Sequence, residues 1–189
     1  MTTYMKTIDL IRSDMTAIGA RTDRLHILLY LLFYFTRRAV ILVRLANSHT
    51  PIAGLCRSLL KKLYLFELGC PQIGPYLRLP HPKGITLAAT SIGCNCLFGQ
   101  WITLGGNNCK ERLTPGGGKI HVPTIGNNVQ VYAGSVVAGP IIVGNDVIIG
   151  ANTTVTSDVP AHTLIYNRPA VSTKKVRVPG FRGAFEKYE

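Results

Sequence analysis

A parallel β-helix fronted by a short helical segment, mainly β with some α, is the fold class that this sequence of 189 residues predicts. Three observations carry that reading. An aliphatic residue recurs at every sixth position through the second half, Gly and Asn fill the intervals, and the first third has a different, helix-forming texture. The length suits one core with an accessory segment. With 47% apolar and only 16% charged residues, the chain is too hydrophobic to stay open as a disordered one.

Residues 1–70 read as an N-terminal helical segment. Up to about residue 64 only Gly19 and Gly54 interrupt a stretch rich in Leu, Ile, Arg and Lys, which predicts two or three helices. Asp14 or Thr16, Thr22 or Asp23, and Ser48 to Pro51 are the expected caps or breaks, since short side-chain oxygens satisfy helix-end N–H groups and Pro fits a first turn. The longest apolar run, Leu25 to Phe35, is interrupted by His26 and stops at Arg37-Arg38, short of the roughly 20 residues that cross a bilayer. It starts late and lacks a small-residue cleavage site, so no secretory signal is expected.

The net charge is +12, and residues 1–84 hold twelve Lys and Arg against four Asp and Glu. A field of that sign favours anionic partners. Peripheral association of the basic helices with a membrane is one use of it, and packing on the rest of the protein with solvated basic faces is the other. Cys56, Cys70, Cys94, Cys96 and Cys109 are odd in number and have no disulfide-framework spacing, which suits a cytoplasmic protein, including one held at the inner face of the membrane.

From about residue 72 the period changes. Ile125, Val131, Val137, Val143, Ile149 and Val155 follow one another in steps of six, and Ile92, Phe98 and Leu104 keep that step upstream. Four residues after each of the first set stand Val129, Ser135, Ile141, Val147, Thr153 and Val159, all small or aliphatic. Six is neither the helical nor the strand period. It describes a coil of short strands and turns in which each aliphatic stacks on the coil below, contributing roughly 1.5–3 kcal/mol on burial. The coil domain is expected over 71–165, followed by a tail over 166–189.

One step breaks the pattern. Leu104 to Ile125 is 21 residues where six would serve, so a Gly-rich, polar loop over 105–124 must leave the coil. Long loops in compact folds are disproportionately functional.

His81-Pro82-Lys83-Gly84-Ile85, Ile102-Thr103-Leu104-Gly105-Gly106, Pro123-Thr124-Ile125-Gly126, Asp158-Val159-Pro160 and Asn167-Arg168-Pro169-Ala170 stand in a familiar order and spacing. On these residues the chain resembles serine acetyltransferases and their short relatives in the hexapeptide-repeat acyltransferase superfamily, from about Ile73 to Ala170. The resemblance implies a left-handed β-helix, homotrimers with active sites between neighbouring prisms, and direct acetyl transfer from acetyl-CoA to a hydroxyl, with no metal.

His81 matches the catalytic histidine of the family. An imidazole is largely neutral at pH 7, so it can take the hydroxyl proton as the oxygen attacks the thioester, a contribution of roughly 10²–10⁴ in rate. Glu67, the one carboxylate between Asp23 and His81, is the candidate for orienting the imidazole. His121 in the loop lies one position from the second active-site histidine of the family and is a candidate for acceptor binding. By the same matching, Gly105, Gly106, Ala133, Gly134 and Ala151 would line the pantetheine groove, with Arg168, Lys174 and Lys175 on the phosphates of the coenzyme. His26, His49 and His162 are expected to be structural or exposed.

The chain departs from the family at both carboxylates around its histidine, the upstream one that orients the imidazole, for which only Glu67 is available, and the one directly before it. Pro80 stands where the family carries an acid that helps hold the amino-acid acceptor, which favours a neutral or anionic acceptor such as a hydroxyl of a sugar or surface-glycan precursor. Serine O-acetylation for cysteine biosynthesis is the alternative, and a non-catalytic β-helical scaffold binding an anionic partner is another. Gly116-Gly117-Gly118-Lys119 is not a phosphate loop, because Leu113 replaces its first Gly and Ile120 its Ser or Thr. Cys94 and Cys96 have no second pair at zinc spacing. No nucleic-acid-binding module is present in the pattern.

Overall fold

The computed structural model describes residues 5–108, 110–114 and 117–167. Among the described residues four helices come first, one more than the upper expectation: α1 (Thr7–Ala17), α2 (Arg24–Phe33), α3 (Phe35–Ala46) and α4 (Ala53–Tyr64). The extra one arises at Tyr34, where extended backbone turns α3 by 110° from α2. No Gly or Pro marks that break, which is why composition misses it. Arg37 folds back over the rings of Tyr30 and Tyr34, 4.5 and 4.9 Å from their centroids, and braces the corner.

Asp23 caps α2 as expected, accepting from the His26 N–H at 3.1 Å. Asp14 does not cap anything. It lies inside α1, fully buried, in a two-pronged ion pair with Arg44 of α3 at 2.6 and 2.9 Å. Burial pushes the Asp14 carboxyl up from its ordinary value, against the pull of Arg44 and the Leu77 N–H.

From Glu67 to Ile165 the chain forms a left-handed parallel β-helix of five coils, each running over three faces of a triangular column. Coil one has β1 (Glu67–Leu68) on the first face and single bridges at Ile73 and Arg78 on the second and third. The coil therefore begins just ahead of residue 71. Coil two is β2 (Thr86–Leu87), β3 (Ser91–Ile92) and β4 (Leu97–Phe98). In coil three, β5 (Thr103–Gly105) gives way to the extruded loop, which carries its own antiparallel hairpin of β6 (Arg112–Leu113) and β7 (Lys119–Ile120). The coil then resumes with β8 (Thr124–Ile125) and β9 (Gln130–Val131). Coil four is β10 (Val136–Ala138), β11 (Ile142–Val143) and β12 (Ile148–Ile149). Coil five is β13 (Thr154–Val155), a bridge at Val159, and β14 (Leu164–Ile165).

All nine aliphatic and aromatic residues of the six-step series, from Ile92 to Val155, are buried in the column. So is the whole companion series, Val129 to Val159. Its two polar members are satisfied: Ser135 Oγ donates to the Gly150 carbonyl at 2.7 Å and accepts from the Thr153 N–H at 3.3 Å, and Thr153 Oγ1 donates to the Ala151 carbonyl at 3.4 Å. Cys96, four residues after Ile92 and so in the same phase as the companion series, is buried, and burial pushes its thiol up to about 11.

The corner between the second and third faces repeats one left-handed residue per coil, namely Tyr76, Asn95, Asn128, Asp146 and His162. Asn and Asp tolerate this conformation best. Their side chains also stack, with Asn95 donating to Asn128 at 3.0 Å and Asn128 to Asp146 at 2.8 Å.

The helical segment closes the open end of this column. Coil one has no coil above it, so part of its backbone would be unpaired. Arg44 donates to the carbonyls of Ile73 and Gly74 at 2.7 and 2.6 Å, Asp14 accepts from the Leu77 N–H at 2.8 Å, and Asn47 donates to the Pro71 carbonyl at 3.2 Å.

Candidate active site

His81 stands on the corner between the third and first faces of coil one. Arg78 pairs with Leu97 and Thr86 with Thr103, so this corner takes eight steps where coil two takes six. The two extra residues push the turn outward. Pro80 and Pro82 on either side fix their own φ angles, Pro82 is buried, and His81 is exposed between them.

Three backbone bonds pin the turn: Lys83 N–H to the His81 carbonyl, Gly84 N–H to the Tyr64 carbonyl and Trp101 N–H to the Lys83 carbonyl, each at 2.9 Å. The Trp101 ring lies against Gly84, whose φ of +64° already asks for glycine. The imidazole is thus held out on a rigid platform that includes Trp101, itself left-handed and 59% exposed.

A second feature occupies the corner between the first and second faces. The extruded hairpin folds down along the column, and Arg112 grips Asp158 of coil five through both nitrogens, at 3.0 and 2.5 Å. Asp158 also accepts from the Ile142 N–H at 2.9 Å. Arg112 first, then that N–H, hold its carboxyl below the ordinary carboxylate value. Beneath the hairpin runs an open groove of about 810 Å³, lined by Lys110, Arg112, Pro140, Ile141, Thr156 and Asp158. Gly105 and Gly106 stand at its head, where the Gly139 N–H donates to the Gly105 carbonyl at 2.8 Å. His121 lies on the same edge, exposed, with its carbonyl against Gly106.

The five small residues matched to one pantetheine groove are therefore divided. Gly105 and Gly106 flank the hairpin groove, while Ala133, Gly134 and Ala151 lie on the edge that carries His81, two to three coils further along, or about 10–14 Å at the usual strand spacing. His81 and His121 are likewise on different edges of one column. Glu67 does not meet His81: its carboxylate lies 3.7 Å from the Lys61 ammonium on α4, and among the described residues no side chain hydrogen-bonds the His81 imidazole. Arg168, Lys174 and Lys175 lie outside the described residues.

Sequence reasoning missed the Arg112–Asp158 clamp and the Asp14–Arg44 pair. The second had a signal, since Arg44 sits in the apolar string Val40-Ile41-Leu42-Val43, and a charge there needs a buried partner. The first had none, because 46 positions separate its members.

Comparison with known proteins fits this architecture. Residues 123–157 match the family described as bacterial transferase hexapeptide (six repeats). A serine acetyltransferase of Staphylococcus epidermidis is 38% identical over 105 residues, which is 55% of this chain and 46% of that protein. The chain spans about half the length of the curated relatives it matches. The crystal structure of native serine acetyltransferase 1 from Entamoeba histolytica superposes with a TM-score of 0.66 at 25% identity, covering 85% of this chain and 63% of that one. A serine acetyltransferase in complex with CoA superposes with a TM-score of 0.64 at 22% identity, covering 86% of this chain and 68% of that one. Sequence and fold thus share the resemblance to hexapeptide-repeat serine acetyltransferases.

Proposed function

We propose that the protein is an acetyl-CoA-dependent O-acetyltransferase of the serine acetyltransferase type, with His81 as general base. The observation that carries this is the enlarged, pinned corner that presents His81 on a hexapeptide coil whose similar proteins are serine acetyltransferases. Acetyl-CoA supplies the activated acetyl group. The hairpin groove suits it in shape: it is open, Gly105 lies beside it through the Gly139 bond, and Lys110 borders it as a cation while Arg112 is held by Asp158.

His81 accepts the proton of the acceptor hydroxyl as its oxygen bonds to the acetyl carbonyl carbon. The tetrahedral adduct then collapses with cleavage of the C–S bond, and the imidazolium returns the proton to the departing thiolate. Backbone N–H groups in the glycine-rich corner are suited to the oxyanion.

One column holds His81 and the groove with His121 on separate edges. Placing one copy's hairpin edge against another's His81 edge would unite them, and this supports the homotrimer. It would also let a neighbouring copy orient the imidazole in place of Glu67.

Of the two acceptors expected, the comparisons favour the hydroxyl of L-serine over a glycan hydroxyl. The glycan reading keeps one supporting observation, Pro80 in place of an acid beside His81. An assay of thiol release from acetyl-CoA with L-serine and a panel of sugars separates the readings. Wild type is expected to turn over L-serine, and His81→Ala to lose at least about a hundredfold in kcat while keeping its oligomeric mass. An unchanged rate in His81→Ala would overturn the base assignment, and saturation by a sugar alone would overturn serine.

A further inference from the structure

Helix α2 has an outward face that nothing among the described residues covers. Its ten residues, Arg-Leu-His-Ile-Leu-Leu-Tyr-Leu-Leu-Phe, send Ile27 and Tyr30 into the protein, yet the opposite side is apolar too. Leu25, Leu28 and Leu32, spaced as one stripe, are each more than half exposed, and Phe33 beside them is 74% exposed. A helix that is apolar all round is normally covered. Tyr34 and Phe35 continue the exposed patch past the end of the helix.

We propose that this face docks on an anionic lipid bilayer. Three features select lipid. From Ala17 to Arg38 the chain carries four arginines, Arg21, Arg24, Arg37 and Arg38, against one acid, Asp23, and that acid is engaged as the α2 cap and paired with His26. The rim of the patch is therefore positive and complements lipid phosphates. The 110° break sets α2 apart from α3, which is anchored in the core, and at 1.5 Å per residue α2 is about 15 Å long, too short to span and suited to lie in the interface. Tyr34 at its end is of a type enriched at bilayer interfaces. A second copy of the chain fits less well, since a two-fold contact through this patch would set Arg21 and Arg24 against their own kind.

The test is flotation of the full-length protein with vesicles of phosphatidylcholine alone and of phosphatidylcholine mixed with phosphatidylglycerol. The bound fraction should rise roughly tenfold with phosphatidylglycerol and fall as salt is added. Leu28→Asp with Leu32→Asp should remove most of that binding, and Arg21→Ala with Arg24→Ala should remove the preference for the anionic lipid. Phe33→Trp, a conservative change, should show a blue shift in its emission over the Trp101 background when anionic vesicles are added. Absence of flotation by wild type, unaltered binding in the double-leucine variant, or an emission of the Phe33→Trp variant that does not move would overturn the proposal. So would a fall in oligomeric mass in the double-leucine variant, which would assign the face to a second copy.

Discussion

A methyl group added at Gly84 would collide with Cε3 of Trp101, on a backbone whose φ is +64°. The chain at Trp101 is tied through its own N–H to Lys83, so the ring would have to turn away from its seat on the turn. Gly84→Ala is expected to destabilise the protein by about 1–3 kcal/mol in urea unfolding and to lower transfer by disturbing the His81 turn. At Asp158 the prediction concerns pH. Its folded pKa is depressed by Arg112, so its contribution is complete above the ordinary aspartate range and is lost as pH falls through the lower folded value. The hairpin should stay docked from pH 8 to pH 5 and loosen only in more acid solution, as read by hydrogen exchange of its amides corrected for intrinsic rate. Asp158→Asn should exchange quickly throughout. The expectation for His81 comes from the resemblance, on its His-x-x-Gly-Ile context, whereas the two-residue enlargement of its corner emerges only once the register of Arg78 and Thr86 is known.

Elements were legible where one period governs them. The coil strands follow from a six-step series with no competing signal, and every inward position read from it is buried. Helix boundaries were less so, because Tyr34 breaks the chain through packing with Arg37 and carries no turn residue of its own. Contacts between elements were the least legible, and the Asp14–Arg44 pair shows why: a local reading of Asp14 finds a cap, while its role depends on a partner 30 positions away. Asp14→Ala would strand a buried guanidinium and leave the Leu77 N–H unpaired, with an expected loss of about 3–5 kcal/mol by urea unfolding. If the loss is under about 1 kcal/mol, the pair is not what joins the helices to coil one.

For the whole molecule, the column and the hairpin are separable. The residues flanking the hairpin, Gly106 and Pro123, lie on consecutive faces of one coil, so a short linker can replace what lies between them without disturbing the stacked interior. Such a deletion is expected to keep cooperative thermal unfolding and to abolish acetyl transfer, because it removes Arg112, His121 and the roof of the groove. Loss of folding instead would mean that the clamp on Asp158 supports the later coils.

The bonds from Asp14, Arg44 and Asn47 to the leading rim of coil one bear on solubility as much as on stability. A stacked parallel ladder has no intrinsic reason to stop, and its bare rim is a template for the next molecule. The leading helices are expected to stop head-to-tail polymerisation at this rim, so a chain shortened to begin at Phe66 should scatter light and grow filaments at concentrations where the intact protein stays clear.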